Sequence, residues 1–358
     1  MDQELGNLAQ QTADRLGQQR VGVVVVAVSG DHVEIRGAGS TGGDLGRTPG
    51  PDTLFEIGSV TKSFTALTLA RMAVLGSVDL DEPLRDLLPS GVAVPSREGE
   101  QISLRHLANH TSGLPRLPRG MLLQALLHPS KPDPYADCTA DVLLAGLART
   151  RLRAVPGQKF HYSNLGAGLL GLALARRAGT DYESLVIREV CAPLGLRDTS
   201  VTVDDARAQR SARGHGRRGR PVRPWHLADL AGAGGLWSTA SDMAAFVRAQ
   251  LDGGPEELAE AIRTTRADEH RTSPFGWVHL GWTAHRLHAK QGSHLQIWHN
   301  GGTGGFSSFV GFDPETRCAV IALANTARPV DRPAFDLLRT LQSRAAGGSP
   351  GRTGTPPR

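Results

Sequence analysis

Residues 22–28 read GVVVVAV, with no polar side chain at either odd or even positions. Successive residues of a strand point to opposite faces, so a strand this uniform needs cover on both sides of its sheet. The stretch "VGVVVVAVSGDHVEIRGAGS" extends it into two β-branched runs joined by Ser-Gly-Asp, the pattern of a hairpin. Strand character returns only near residue 275, in "FGWVHLGWTAHRL", "HLQIWHNGG" and "SSFVGFDPETRCAVIALANT", the last with Asp-Pro-Glu-Thr as its turn. Residues 3–18 have leucine and alanine at helical spacing, and "FDLLRTLQSRAA" closes the pattern as a helix. From about residue 80 to 230 the chain reads as helices and loops, among them "ISLRHLANHTSGLP", "TADVLLAGLARTRL" and "NLGAGLLGLALARRAG". "STASDMAAFVRAQLDGG" is another helix, with Ser241 or Thr239 as its N-cap. This order predicts an α/β fold of the α+β type, a mainly antiparallel sheet flanked by helices. Residues 1–78 and 270–345 form the sheet lobe, residues 79–269 an inserted all-helical lobe, and residues 346–358 a disordered tail.

The chain of 358 residues is long enough for such a core, and 39% hydrophobic with 21% charged residues is an ordinary globular balance. Its net charge of +5 comes from arginine, much of it in Arg210, Arg213, Arg217, Arg218, Arg220 and Arg223. A nucleic-acid surface would need a binding motif or interleaved aromatics, which are missing, so this segment reads as a solvated loop. Cys138, Cys191 and Cys318 are far apart and form no CxxC, so they read as buried apolar residues. His106 and His110 share a helix-face spacing, but no Glu follows His106 as in H-E-x-x-H, and no metal or cofactor is expected. No apolar stretch is long enough to span a membrane. The opening "MDQELGNLAQQTADRLGQQR" has early acids and no apolar run, so no secretory signal is expected and a cytoplasmic location follows.

Lys62 is one of four lysines beside 36 arginines, and it stands three residues after Ser59 in "FEIGSVTKSFTALTL". Arginine stays charged, whereas a desolvated lysine gives up its proton and acts as a base. On a helix Ser59 and Lys62 share a face, and backbone N–H groups at a helix start favour negative charge at the serine. The competing reading is plain: Ser59 as helix cap and Lys62 as a surface charge. None of the other three lysines has a serine three residues earlier.

Two further pieces join these. Tyr162-Ser163-Asn164 places a phenol that becomes a usable base only beside positive charge, which lysine supplies, and an amide that orients a substrate and holds the lysine. "WHNGGTGGFSSFVGF" ends a strand in His299-Asn300-Gly301-Gly302, bare backbone that allows close approach of a ligand. Of the five tryptophans, Trp298 is the one expected at the pocket.

In the order S-x-x-K, Y-x-N, H-x-G, the chain resembles the serine β-lactamase and penicillin-binding-protein superfamily. It looks most like the class C β-lactamase branch, with its D-alanyl-D-alanine carboxypeptidase, esterase and transacylase relatives. The resemblance covers roughly residues 20–345 and includes "SLRHLANHTSGLP" and "AGGLWSTASDMAAF". It implies Ser59 as acylated nucleophile, Lys62 and Tyr162 as proton-transfer groups, and Asn164, His299, Gly301, Gly302 and Trp298 as substrate contacts. The backbone N–H groups of Ser59 and Gly302 then form an oxyanion hole. His299 stands where β-lactamases commonly carry lysine, which argues against strong lactamase activity. The expected reaction is acyl transfer from a small-molecule ester, amide or lactam to water, or to an amine or alcohol acceptor. A noncatalytic ligand-binding or sensor protein of the same shape is the alternative of another class.

Overall fold

The computed structural model describes residues 2–42, 46–118, 133 and 135–347. The tail from residue 348 lies outside them. Helix α1 (Asp2–Gly17) leads into strands β1 (Gly22–Ser29) and β2 (His32–Gly39). A short strand β3 (Phe55–Glu56) precedes helix α2 (Thr61–Val74). Then come α3 (Leu104–Ala108), α4 (Ala140–Ala148), α5 (Asn164–Arg177), α6 (Tyr182–Val186) and α7 (Asp205–Ala208). Strand β4 (Trp237–Ser238), α8 (Ala240–Asp252) and α9 (Glu256–Ala267) follow. Strands β5 (His270–Ser273), β6 (Gly276–His279), β7 (Trp282–Arg286), β8 (Leu295–Gly302), β9 (Ser307–Asp313) and β10 (Cys318–Ala324) lead to α10 (Asp331–Gly347).

Eight strands form one antiparallel sheet in the order β2-β1-β10-β9-β8-β7-β6-β5. The uniform β1 run explains its position. Val24, Val26 and Val28 enter the cluster beneath α2 and α8, whereas Val23, Val25 and Ala27 pack under α1 and α10. Both parities are therefore buried, as an all-apolar strand requires. The Asp313 side chain accepts the Glu315 N–H at 2.8 Å, closing the Asp-Pro-Glu-Thr turn between β9 and β10. Thr239 caps α8 by accepting the Asp242 N–H at 3.1 Å.

A second cluster joins α3, α4, α5 and part of α2 through residues such as Leu104, Leu143 and Leu169. Helices α8 and α9, which the sequence pattern grouped with the inserted helices, pack on the sheet side instead. Their Met243, Phe246, Leu258 and Ile262 join the cluster beneath β1 and β10. Helix propensity carries no information about which cluster an apolar face meets. The residues of Cys138, Cys191 and Cys318 are all buried thiols. No helix among the described residues is long and apolar enough to cross a membrane.

Candidate active site

Ser59 lies in a single 3-10 turn, Gly58–Val60, which feeds directly into α2. Neither helix start has a side-chain capping bond, so Ser59 is not a cap. Its Oγ instead accepts a hydrogen bond from Lys62 Nζ at 3.1 Å. Lys62 is 2% exposed, which removes the surface-charge reading. Its ammonium also donates to the Ala233 carbonyl and bonds the Tyr162 phenol. The sequence reading gave Asn164 the task of holding the lysine; Ala233 does this through its backbone. Burial holds the Lys62 pKa below its ordinary value; Tyr162 opposes that shift, and Arg116 adds to it.

The third strand segment meets this turn backbone to backbone. Gly58 has φ +50°, and a Cβ there would stand 2.7 Å from the Gly302 nitrogen. A Cβ at Gly301 would stand 2.1 Å from the Ile57 carbonyl and 2.9 Å from the Ser59 nitrogen. Only glycine at both positions permits β8 to come this close to the serine. Ser308 Oγ on β9 locks the contact by donating to the Ile57 carbonyl at 2.7 Å. Ser59 and Gly302 consequently line one cleft.

Tyr162 precedes Ser163, the N-cap of α5. Ser163 Oγ accepts the Gly166 N–H at 2.9 Å and donates to the Pro115 carbonyl at 2.7 Å, pinning the turn that presents Tyr162. The Lys62 ammonium lies 5.0 Å from the Tyr162 ring centroid. Asn164 bonds the Tyr135 phenol, and its buried Oδ1 has no partner among the described residues. Asn164 lines a small recess together with Ser59, Gly302 and Trp225.

His299 is buried, and its Nδ1 donates to the Asn300 carbonyl at 2.7 Å, which leaves Nε2 as a lone-pair acceptor. Burial, followed by the Lys62 charge, pushes its pKa down to about 3. It is therefore a neutral imidazole near neutrality. His110, missed as a site residue, packs its ring 4.4 Å from that of Tyr162. Burial, with Lys62, His299 and Arg116 adding to it, holds its pKa well below the usual value. His106 instead caps α3, its Nδ1 accepting the Ser103 N–H at 3.2 Å. No group of three His, Cys, Asp or Glu residues among those described is placed to hold a metal.

Trp298 is the one expected contact the structure removes. It alternates with His299 along β8 and so points to the opposite face, against Phe309 and Phe335, with Nε1 donating to His285 Nδ1 at 3.1 Å. Strand periodicity of two is the reason. The site opens into a cleft of about 500 Å³ lined by Ser59, Tyr162, Gly301, Gly302, Arg116 and Arg217, among others. The sequence reading named Arg217 only as part of a solvated segment and did not name Arg116; both sit on loops, where motif spacing gives no signal.

A Beta-lactamase family model matches residues 8–344. The chain belongs to the Beta-lactamase family. Within it, the D-alanyl-D-alanine-carboxypeptidase/endopeptidase AmpH of Escherichia coli (strain K12) is 27% identical over 338 residues, covering 88% of this chain and 82% of its own. A Beta-lactamase of Pseudomonas fluorescens is 27% identical over 357 residues, covering 91% of this chain and 95% of its own. The crystal structure of a Beta-lactamase/D-alanine carboxypeptidase from Yersinia pestis complexed with citrate has a TM-score of 0.76 at 28% identity. It is matched over 95% of this chain and 98% of that one. The Beta-lactamase-family chain is thus a serine hydrolase by family, with its three motifs brought to one cleft.

Proposed function

We propose that this protein hydrolyses an ester, amide or lactam through an acyl-enzyme on Ser59. The observation that carries the reading is the 3.1 Å contact between Ser59 Oγ and a buried Lys62 whose pKa is lowered. Neutral Lys62 takes the Ser59 hydroxyl proton as Oγ attacks the carbonyl carbon. The oxyanion that forms is stabilised by the Ser59 and Gly302 N–H groups, each donor of this kind contributing about 10²–10³-fold. Tyr162 hands a proton to the leaving oxygen or nitrogen and is recharged from Lys62. In the second half the same pair deprotonates water, which attacks the ester and releases Ser59. His299, neutral and buried, offers little attraction to a β-lactam carboxylate.

The test is intact-mass analysis after exposure to a serine-directed phosphonate and a panel of activated esters, D-peptides and β-lactams. One acyl-sized addition mapped to the Ser59 peptide, absent in Ser59→Ala, is expected. Labelling elsewhere, or none with any probe, leaves the ligand-binding alternative.

A cleft of about 500 Å³ has room for an amine or alcohol beside a small acyl donor, which admits a second reading, transfer to such an acceptor. Lys62 and Tyr162 would deprotonate such an acceptor as they do water. Product partitioning with rising acceptor concentration separates the two: saturable transfer at the expense of free acid supports transacylation, and unchanged hydrolysis across a broad acceptor panel opposes it.

A further inference from the structure

The carboxyl group three residues before Ser59 takes no part in the acyl-transfer chemistry, yet it ties two walls of the site together. Glu56 ends β3 and is buried; its Oε1 accepts the Trp225 N–H at 2.9 Å, and the same side chain bonds Thr303. Thr303 directly follows Gly302, and its own N–H donates to the Phe306 carbonyl at 3.1 Å, closing the turn after β8. Asp133 accepts the next amide of the loop, that of His226, together with the Tyr135 N–H at 2.8 Å. Two carboxyl groups from segments far apart in the chain thus hold consecutive N–H groups of one loop.

The side chain that this loop presents is an indole. Trp225 sits against the Tyr135 ring, centroids 5.1 Å apart, and against the backbone at Gly304, where a Cβ would stand 2.6 Å from its Nε1. With Ser59, Asn164 and Gly302 it lines a recess of about 30 Å³, roughly the share of one liquid water. The cleft of about 500 Å³ also borders Ser59 and has the room an aryl leaving group needs, so a donor seated there turns its acyl chain toward the recess. Around Glu56, Trp237 opposite it in the β3–β4 ladder, Trp225 and Thr303 are uncharged. Asp133 supplies the charge that acts on it, with Tyr135 and His226 the titratable neighbours on the segments Asp133 holds.

We propose that Glu56 is a positioning residue: by clamping Trp225 to the Thr303 turn it keeps the recess beside Ser59 closed to all but short acyl chains, and its ionisation releases the clamp. The proposal rests on acyl transfer at Ser59 and names the residue that sets acyl length there. A neutral carboxyl group accepts from Trp225 and donates to Thr303 Oγ1 without adding charge beside Asp133. Burial, with the Asp133 charge adding to it and both hydrogen bonds opposing it, raises the Glu56 pKa to about 7. Above that pH a second buried carboxylate stands next to the first. Water entering to solvate it parts Trp225 from the turn, because a desolvated charge without a cation beside it is costly.

The experiment measures, with the full chain, the ratio of kcat/KM for p-nitrophenyl hexanoate over p-nitrophenyl acetate across pH. The ratio cancels the titration of Lys62, which acts on both donors alike. In wild type it is expected to be low at acid pH and to rise through about 7. Glu56→Gln, whose amide accepts from Trp225 and donates to Thr303, should hold the low ratio at every pH. Glu56→Ala, which makes neither bond, should raise it about tenfold at acid pH, the low end of what one methylene changes in a fitted pocket. A second readout needs no turnover: the 19F resonance of Trp225 in 5-fluorotryptophan-labelled protein, assigned with Trp225→Phe. It should titrate near pH 7 in wild type and not in Glu56→Gln. If Glu56→Ala does not fold, the Gln variant and this resonance decide alone. A resonance that behaves so in a protein that turns over no ester would fault Ser59 acylation and leave the clamp standing. A Trp225 resonance that titrates alike in wild type and Glu56→Gln, or in neither, overturns the proposal, as does a wild-type donor ratio that pH does not move.

Discussion

Lys62 and Glu56 show how burial sets the chemistry of single side chains here. Lys62→Arg keeps the charge but cannot release a proton, so acylation of Ser59 is expected to fall about 10²-fold or more, the usual scale for an acid–base group. Tyr162→Phe should do the same while leaving the melting temperature close to that of the wild type. Burst kinetics with an activated ester check both; a wild-type rate in Lys62→Arg would reduce Lys62 to a positive charge. Glu56, three residues before Ser59, is buried, and its carboxylate accepts the Trp225 N–H at 2.9 Å and bonds Thr303. Burial raises its pKa from 4.5 to about 7, with the Asp133 charge adding to the rise and both hydrogen bonds opposing it. The folded state then binds a proton more tightly than the unfolded chain. Its stabilising contribution is full below pH 4.5 and is lost as pH rises through about 7. Glu56→Gln is expected to flatten the pH dependence of stability in that window and to be more stable than wild type at pH 8, as read by urea unfolding at four pH values. A wild-type slope in the variant would assign the pH dependence to other groups.

At the scale of elements, β8 and the Ser59 turn act as one unit because two glycines let their backbones touch. Gly301→Ala places a methyl 2.1 Å from the Ile57 carbonyl, so it is expected to separate the strand from the turn and abolish acylation. Gly302→Ala has its nearest neighbour at 3.7 Å, the Phe306 carbonyl, and should fold normally. Comparing melts and Ser59 labelling of the two variants checks this; equal losses would deny the close contact. The α5 cap makes a similar point. Ser163 both caps the helix and bonds the Pro115 carbonyl, so Ser163→Ala should cost about 1–2 kcal/mol and loosen the turn that presents Tyr162.

Across the whole molecule, α2 is the shared wall of the two large apolar clusters. Phe64, Leu67 and Ala70 face the sheet side, and Ala66, Leu69 and Met72 face the helical side. This helix, buried on both sides, carries Lys62 and continues directly from the Ser59 turn, so the pair sits on a rigid mount. Phe64 stacks on Phe246 of α8 with centroids 4.0 Å apart. Phe64→Ala is expected to cost about 3–5 kcal/mol, measured by denaturant unfolding, the range for a deleted core aromatic. A loss below about 1 kcal/mol would mean that the surrounding core collapses into the space, against close packing of this interior.

Local spacing and side-chain chemistry by themselves determined the hairpins, the helix starts, the Ser59–Lys62 pair and the sheet built from both ends of the chain. Each of these depends on residues a few positions apart, where periodicity and capping rules act directly. The resemblance carried by three short motifs added Tyr162, Asn164 and the β8 glycines to that list. Only the tertiary structure decided that Ser59 bonds Lys62 and caps nothing, and that the Ala233 carbonyl holds the lysine. It also turned Trp298 to the far face while His299 faced Tyr162, and moved α8 and α9 onto the sheet. Glu56 and His110 belong to the same class: their meaning lies in burial and in neighbours tens or hundreds of residues away. Pairwise distance and desolvation do not exist until the chain has folded, and those two quantities move the proton affinities of Lys62, His110 and His299.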